Sequence, residues 1–522
     1  MALGYGTAAL QLVELIFAYY LLLGIYNVCF HPLRRYPGPL LWRFSPVPKN
    51  IYMLMGTYAT KAREIHEIYP GTVRVAPNEL SYIQRKFNHF AIIISLPREG
   101  ASQAWKDIMS RPLKSEMPKD LRFFGGEDFG RDSIVTTRPE DHTRQRRIFT
   151  HAFSNGALRA QEPLLAGYAD QMVAAMGRMG RRDGRVNMVD LYNFGTFDIM
   201  AELTFGEPLG LLQREGYIPW VSNLLAGLKY VIWGVVLLEI PVLGPLVKTI
   251  TAAPLKKQAQ AHTDFAGDLV DRRLAREDHA KPDIWSFVLR HSGDGDGTVD
   301  GDGAAKKGLS RREMHANAAT FMAAGTETTA TVLSGTTFHL LRTPRALTLL
   351  TREIRDRFAR SEDISVDGLA GLPYLRAVLM EGMRMSNPGG AGMPRIVPRG
   401  GAEICGDGIP EGTLVSVNPY VAFTHPDNWA RPTEFIPERW LHPEDPQWKD
   451  DKRDVHEPFS YGPRNCIGKN LAWLELRLLL AKTLWHYDLE MCPGMEDWAV
   501  QKCYITWEKG PLMAKLTPAK RA

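Results

Sequence analysis

Five cysteines occur in 522 residues, and one of them, Cys466, has neighbours that could do chemistry. Phe459 opens the stretch, Gly462 lies four positions before the thiol, Arg464 two before and Gly468 two after. A long apolar run, GKNLAWLELRLLLAKTLW, follows at once and has the period of a helix. A thiol at a helix N-terminus feels the positive end of the macrodipole and unsatisfied N–H groups, which stabilise its thiolate. Such a thiolate serves as a nucleophile or as a metal ligand. A nucleophile needs a base beside it, and no histidine falls between His456 and His486. The glycines carry minimal bulk, which suits a flat partner lying close over the backbone. Arg464 adds a rigid fork for a carboxylate. A flat, carboxylate-bearing partner with a thiolate ligand has the chemistry of haem.

Two other stretches bear charge or hydroxyls where helices are expected. Glu381 and Arg384 are three apart and share a helix face, in a helix that starts near Pro373 and stops before Pro388. AAGTETT (Ala323 to Thr329) falls midway along a longer helix. That helix has a sharp start: Ser310 caps, Glu313 completes a capping box, and Leu309 can staple to Met314. Its pattern runs to about Leu341, with Pro344 beyond.

The elements around these residues are mostly helical. TVRVAPNELSYI alternates like two short strands with a turn. Tyr217 to Ile250 is unusually apolar but broken by Lys229, Glu239, Pro241 and Pro245. Periodicity leaves two readings open for it, a buried helix pair or a greasy roof that dips into a membrane. His291 to Gly308 is a Gly/Asp-rich linker; its likeness to a calcium loop fails at the turn glycine and at the twelfth position. No G-x-G-x-x-G follows a strand, so no dinucleotide domain is indicated.

The N-terminus is of another kind. Thr7 to Phe30 has 24 residues and one charge, Glu14, which is long enough to span a bilayer. His31, Arg34 and Arg35 follow it and no basic side chain precedes it, so the body is expected on the cytosolic side. The cysteines are odd in number and lack C-x-x-C spacing, which indicates neither a disulfide framework nor a zinc site and fits a reducing compartment. A net charge of +5, with scattered basic residues, gives no reason to expect nucleic acid.

Phe459-x-x-Gly462-x-Arg464-x-Cys466-x-Gly468 resembles the haem-binding signature of the cytochrome P-450 family, complete at all five positions. Most of the chain follows the family's order, and the HPLRRYPGP hinge is similar to that of fungal microsomal members. The resemblance implies a mainly α fold with a small β-rich part, an anchor with its hinge over residues 1–35 and a catalytic domain over 36–522. It implies haem b on Cys466, inside a loop braced by a buried triad of Glu381, Arg384 and Arg439, the last in PERW. Ala324 and Gly325 would leave room over the haem, and Glu327 and Thr328 would be an acid–alcohol pair delivering protons in a dry pocket. DHTRQRRIFTHAFS resembles the family's propionate helix, with His142 where Trp is common and Arg146 four on; Arg395 matches a further propionate arginine.

The implied reaction puts one atom of dioxygen into an apolar small molecule, as many fungal members do in terpenoid or polyketide secondary metabolism. Electrons would come from the membrane-bound NADPH-dependent reductase with its FAD and FMN, at the endoplasmic reticulum; Lys469 is a candidate contact. A haem-thiolate isomerase or dehydratase and a haem sensor are the alternatives. Pocket candidates are the Phe321–Ala324 face, the Gly389–Met393 stretch and the Tyr217–Val247 roof.

Overall fold

A computed structural model describes residues 2–83, 102–112, 115–123, 132–239, 243–276, 281–291 and 308–520. The Gly/Asp-rich linker lies outside the described residues except for its two ends. Nine helices carry the argument. In chain order they are α1 (Ala2–Cys29), α2 (Pro139–Thr150), α3 (Asn155–Asp183), α4 (Met188–Phe205), α5 (Pro219–Glu239), α6 (Leu243–Leu274), α7 (Arg311–Arg342), α8 (Pro373–Met385) and α9 (Lys469–His486). Small sheets flank them. The largest among the described residues has four strands, β1 (Val73–Ala76), β2 (Glu79–Tyr82), β3 (Arg395–Ile396) and β4 (Leu414–Val417), in the order β1-β2-β4-β3. β1 and β2 form the expected hairpin, with Val73 opposite Ser81.

α7 is the central beam, 32 residues and so roughly 48 Å long. Its start is the capping box read from the sequence. Ser310 Oγ accepts from the Glu313 N–H at 3.2 Å, and Glu313 Oε2 accepts from the Ser310 N–H at 2.8 Å. Glu313 also pairs with Arg144 and accepts from Gln145, so the same cap docks α2 onto α7. α4 crosses α7 closely. A side chain at Gly325 would put its Cβ 2.7 Å from Met200 Sδ, so the glycine also serves this helix contact.

The first helix runs from Ala2, longer than the expected span. Leu10–Cys29 is long and apolar enough to cross a membrane, and its large side chains are mostly exposed. Its far end is tied to the body. Asn27 Nδ2 donates to Phe44 O at 3.1 Å, and Arg74, fully buried, donates to Asn27 O at 2.9 Å. α5 meets neither reading of the apolar stretch completely: Val221, Ile232 and Val236 are buried, while Tyr230 and Trp233 remain exposed.

Candidate active site

Cys466 sits in a tight loop before α9. Its N–H donates to Phe459 O at 2.9 Å, and Gly468 is the N-cap of α9. Gly462 has φ +78°, and a Cβ there would lie 2.1 Å from Met109 O. This glycine lets the loop press on the backbone of another segment. A Cβ at Gly468 would come no closer than 3.9 Å to Cys466 Sγ. Cys466 has exposed surface, yet burial pushes its thiol up, against the Gly468 N–H, Arg146 and Lys469, which draw it down. The two facts agree if the free surface of the sulfur faces an interior space rather than bulk water. Lys469 is exposed, its Nζ 5.7 Å from the Phe459 ring centroid.

On α7, Ala324 is exposed and Ala323 and Thr328 are half-buried, in a helix whose flanking turns are closed. Phe321 does not belong to that open strip. It is buried and packs edge-on to Phe149 and Phe153, at 4.9 and 5.6 Å between centroids. The open face is thus narrower than the expected Phe321–Ala324 stretch. In the Gly389–Met393 stretch Met393 is exposed, whereas a Cβ at Gly390 would meet Cys503 Sγ at 2.8 Å.

Glu327 and Thr328 are not hydrogen-bonded to each other among the described residues. Successive helix residues point about 100° apart, and each has found its own partner. Glu327 is buried and pairs with Lys509, which also donates to Thr331 Oγ1 at 2.7 Å. Thr328 Oγ1 donates to Ala324 O at 2.7 Å. Lys509 was missed in the sequence because 182 positions separate it from Glu327 and no local pattern links them.

Basic groups gather beside the Cys466 loop. Arg464 holds the Glu116 carboxylate at two points, Nε at 2.7 Å and Nη2 at 3.2 Å. Arg395 Nη1 reaches the same carboxylate at 3.2 Å and Met117 O at 3.0 Å. Lys119 bridges to Arg395 through the backbone, and its Nζ donates to Val135 O at 2.8 Å. Burial, with Arg395 and Arg464 adding to it, pushes the Lys119 ammonium well below the usual lysine range. Burial lowers Arg395 to about 10, and Arg464 adds to this while Glu116 opposes it. His142 is buried near all of them; burial, then Arg464 and Lys119, lower it to about 3, so its ring is neutral. Arg146, the other expected propionate residue, has protein partners in the Cys466 loop. Both its Nη groups donate to Asn465, one to the carbonyl at 2.8 Å. Four residues advance a helix roughly 6 Å, which carries Arg146 past His142 to the loop beside Cys466. Glu116 and Lys119 were not legible in the sequence.

The expected triad gains a fourth member. Glu381 accepts from Arg384 at 2.8 and 2.9 Å and from Arg439 at 3.2 Å, and also from the Ile436 N–H and Trp440 Nε1. Arg439 pairs in turn with Asp451. The four side chains are buried, two guanidiniums against two carboxylates. Burial opposes the charge on Glu381, but Arg384 and then Arg439 outweigh it and hold the carboxyl below its usual range. The network ties α8 to the chain at Phe423, Pro432 and Glu434, upstream of the Cys466 loop.

The family model for Cytochrome P450 matches residues 100–515. The chain is a cytochrome P450. Relatives agree over nearly full length. Cytochrome P450 monooxygenase efuB of Hormonema carpetanum is 40% identical, over 99% of this chain and 98% of its own. FUM2 of Gibberella moniliformis, also named a cytochrome P450 monooxygenase, is 39% identical over 95% of this chain and 100% of its own. Trichothecene C-4 hydroxylase of Trichoderma arundinaceum is 36% identical over 99% and 98%. This P450 is thus a haem-thiolate monooxygenase, with the mainly helical fold of its family. Its residues fit the haem the family implies. The Cys466 thiol is accessible in a fixed loop, and a buried basic cluster holds less acidic charge than basic. Among the described residues, Arg395 Nε in that cluster has no acceptor. An iron with a thiolate on one side and a ring bearing two carboxylates answers both needs.

A further buried acid lies close by. Glu475 on α9 is fully buried, and among the described residues neither carboxylate oxygen has a hydrogen-bond partner. Burial pushes it up to about 8, opposed by the nearby Thr329 hydroxyl, which itself donates to Gly325 O at 3.1 Å. Burial thus favours its neutral form.

Proposed function

We propose that this P450 oxidises an apolar small molecule of fungal secondary metabolism, a terpenoid or polyketide, while anchored in the endoplasmic reticulum membrane by a single span with its catalytic domain in the cytosol. What carries the reading is the accessible Cys466 thiol beside the under-neutralised basic cluster, in a chain whose full-length relatives are fungal monooxygenases. The hydroxylase name of one relative supports insertion of oxygen at carbon. The span Leu10–Cys29, followed by Arg34 and Arg35, supports the orientation.

The roles assigned to side chains are these. When bound, haem supplies dioxygen activation, helped by the electron-donating thiolate. Arg464, Arg395 and Lys119, with neutral His142, hold its carboxylates. Arg146 steadies the Cys466 loop through Asn465. Ala324 leaves room for substrate. Thr328 donates a hydrogen bond to Ala324 O, and its oxygen can accept another, so when the bond to Ala324 breaks it can release its own proton while taking one up. Glu327, buried and held by Lys509, is the neighbouring acid. Electrons come from the NADPH-dependent flavoprotein reductase, for which exposed Lys469 is a contact through charge complementarity.

The test uses purified full-length protein. Cys466→Ala should lose the long-wavelength reduced-CO band of a haem-thiolate centre, and a retained band would remove Cys466 as the ligand. With reductase, NADPH consumption should rise with a fitting terpenoid or polyketide. Thr328→Ala should keep that consumption but release more hydrogen peroxide per NADPH; unchanged coupling would take Thr328 out of the proton path.

A further inference from the structure

Among the described residues, Glu116 is the one acidic side chain that meets both arginines of the basic cluster. Its side chain is 9% exposed, and those of Arg464 and Arg395 are each 6% exposed, so all three are out of bulk water. Its segment is fixed by backbone pairing: Ile396 N–H donates to Pro118 O at 2.8 Å and Asp120 N–H to Pro394 O at 3.2 Å. The carboxylate takes the Nε and Nη2 edge of Arg464 and one Nη1 proton of Arg395. A guanidinium has five N–H donors, so both arginines keep donors in reserve. One of these, Arg395 Nε, is buried without an acceptor.

We propose that Glu116 is a permanent bracket of the propionate site, a positioning residue that fixes one edge of Arg464 and of Arg395 so that their remaining donors meet the two haem propionates. The inference rests on the haem reading above and assigns a role to a residue that touches the arginines rather than the iron. Charge supports a resident Glu116 over one that haem must evict. With haem bound, its propionates would favour the ammonium of Lys119, and Arg464, Arg395 and Lys119 against one carboxylate then leave an excess of two positive charges, which the two propionates neutralise. Without Glu116 the same dianion would leave a buried cation unpaired, and such a group is costly.

The experiment measures haem release from full-length holoprotein to a haem-scavenging globin, by decay of the Soret band. It compares wild type, Glu116→Gln and Glu116→Asp, each loaded with haem or with its dimethyl ester. A haem-thiolate spectrum in the wild type is the entry condition, and its absence would overturn the haem reading itself. Glu116→Gln should release haem roughly tenfold faster, the worth of a hydrogen bond to a charged group. Glu116→Asp should fall between, and it serves alone if the glutamine variant does not fold. With the dimethyl ester the variants should release at similar rates, because the oriented donors have lost their anions. Slower release from Glu116→Gln would identify Glu116 as a stand-in that haem displaces, and would overturn the bracket. Equal rates with haem would overturn it, and so would an undiminished difference with the ester, which marks general loosening.

Discussion

Two buried charge clusters flank the Cys466 loop, and they are built on opposite principles. In the first, Arg384 and Arg439 face Glu381 and Asp451. Arg384 spends its donors on Glu381 and on three backbone carbonyls, and Trp429 lies against both guanidiniums, at 5.3 and 5.8 Å. Nothing is left to offer. In the second, Arg395 and Arg464 share the single carboxylate of Glu116, and among the described residues the buried Arg395 Nε stays unmatched. Burying charge is tolerable only when it is paired, so the closed cluster reads as scaffold and the open one as a site awaiting an anion.

The comparison can be broken from either side. The largest effect is expected in the closed cluster. Glu381→Gln leaves two guanidiniums with one carboxylate in a dry interior, a loss of about 3–5 kcal/mol. It should appear as a lowered midpoint in denaturant whether or not haem is bound. A midpoint near that of the wild type would mean that the network is not a scaffold.

Arg395→Gln tests the open cluster. It should weaken haem binding by about 1.5–3 kcal/mol, while the haem-free chain holds its stability or gains some. The gain is expected because the substitution removes a surplus cation. Haem titration and melting of haem-depleted protein report the two halves separately. A haem-free chain destabilised as much as Glu381→Gln would erase the distinction between the clusters.

Glu475 shows a third solution, an acid buried without a partner and kept neutral. Its folded value of about 8 stands above the ordinary 4.5, so the native state holds the proton more tightly than the unfolded chain does. Wild-type stability is then present at low pH and lost as pH rises between those values, by about 1.4 kcal/mol per unit. Glu475→Gln should therefore become progressively more stable than the wild type from pH 5 to pH 8, with no further change above. A difference that does not vary with pH would show that the acid is ionised, or hydrated, in the native protein.

What could be read along the chain was local. The Ser310–Glu313 capping box, the Glu381–Arg384 pair and the turn into α9 all depend on residues within a few positions of one another, where helix geometry alone sets the distances. The signature around Cys466 pointed to the cofactor for the same reason: a thiol, glycines and an arginine at short spacing make one loop. Some meanings shifted even there. Gly462 and Gly325 were read as space for a ligand, and packing adds a second demand on each, close contact with Met109 and Met200. Spacing says that a position is small and only its neighbours say why.

The residues that complete each charge cluster were not legible. Glu116 is 348 positions from Arg464 and Lys509 is 182 from Glu327. Even Asp451, only 12 from Arg439, has no periodic relation to it. The sequence by itself determined which atoms could bind iron and on which helices the acid, alcohol and arginines stand. Only the tertiary structure decided which charges are matched and which stay in surplus, because burial and pairing depend on segments far apart in the chain.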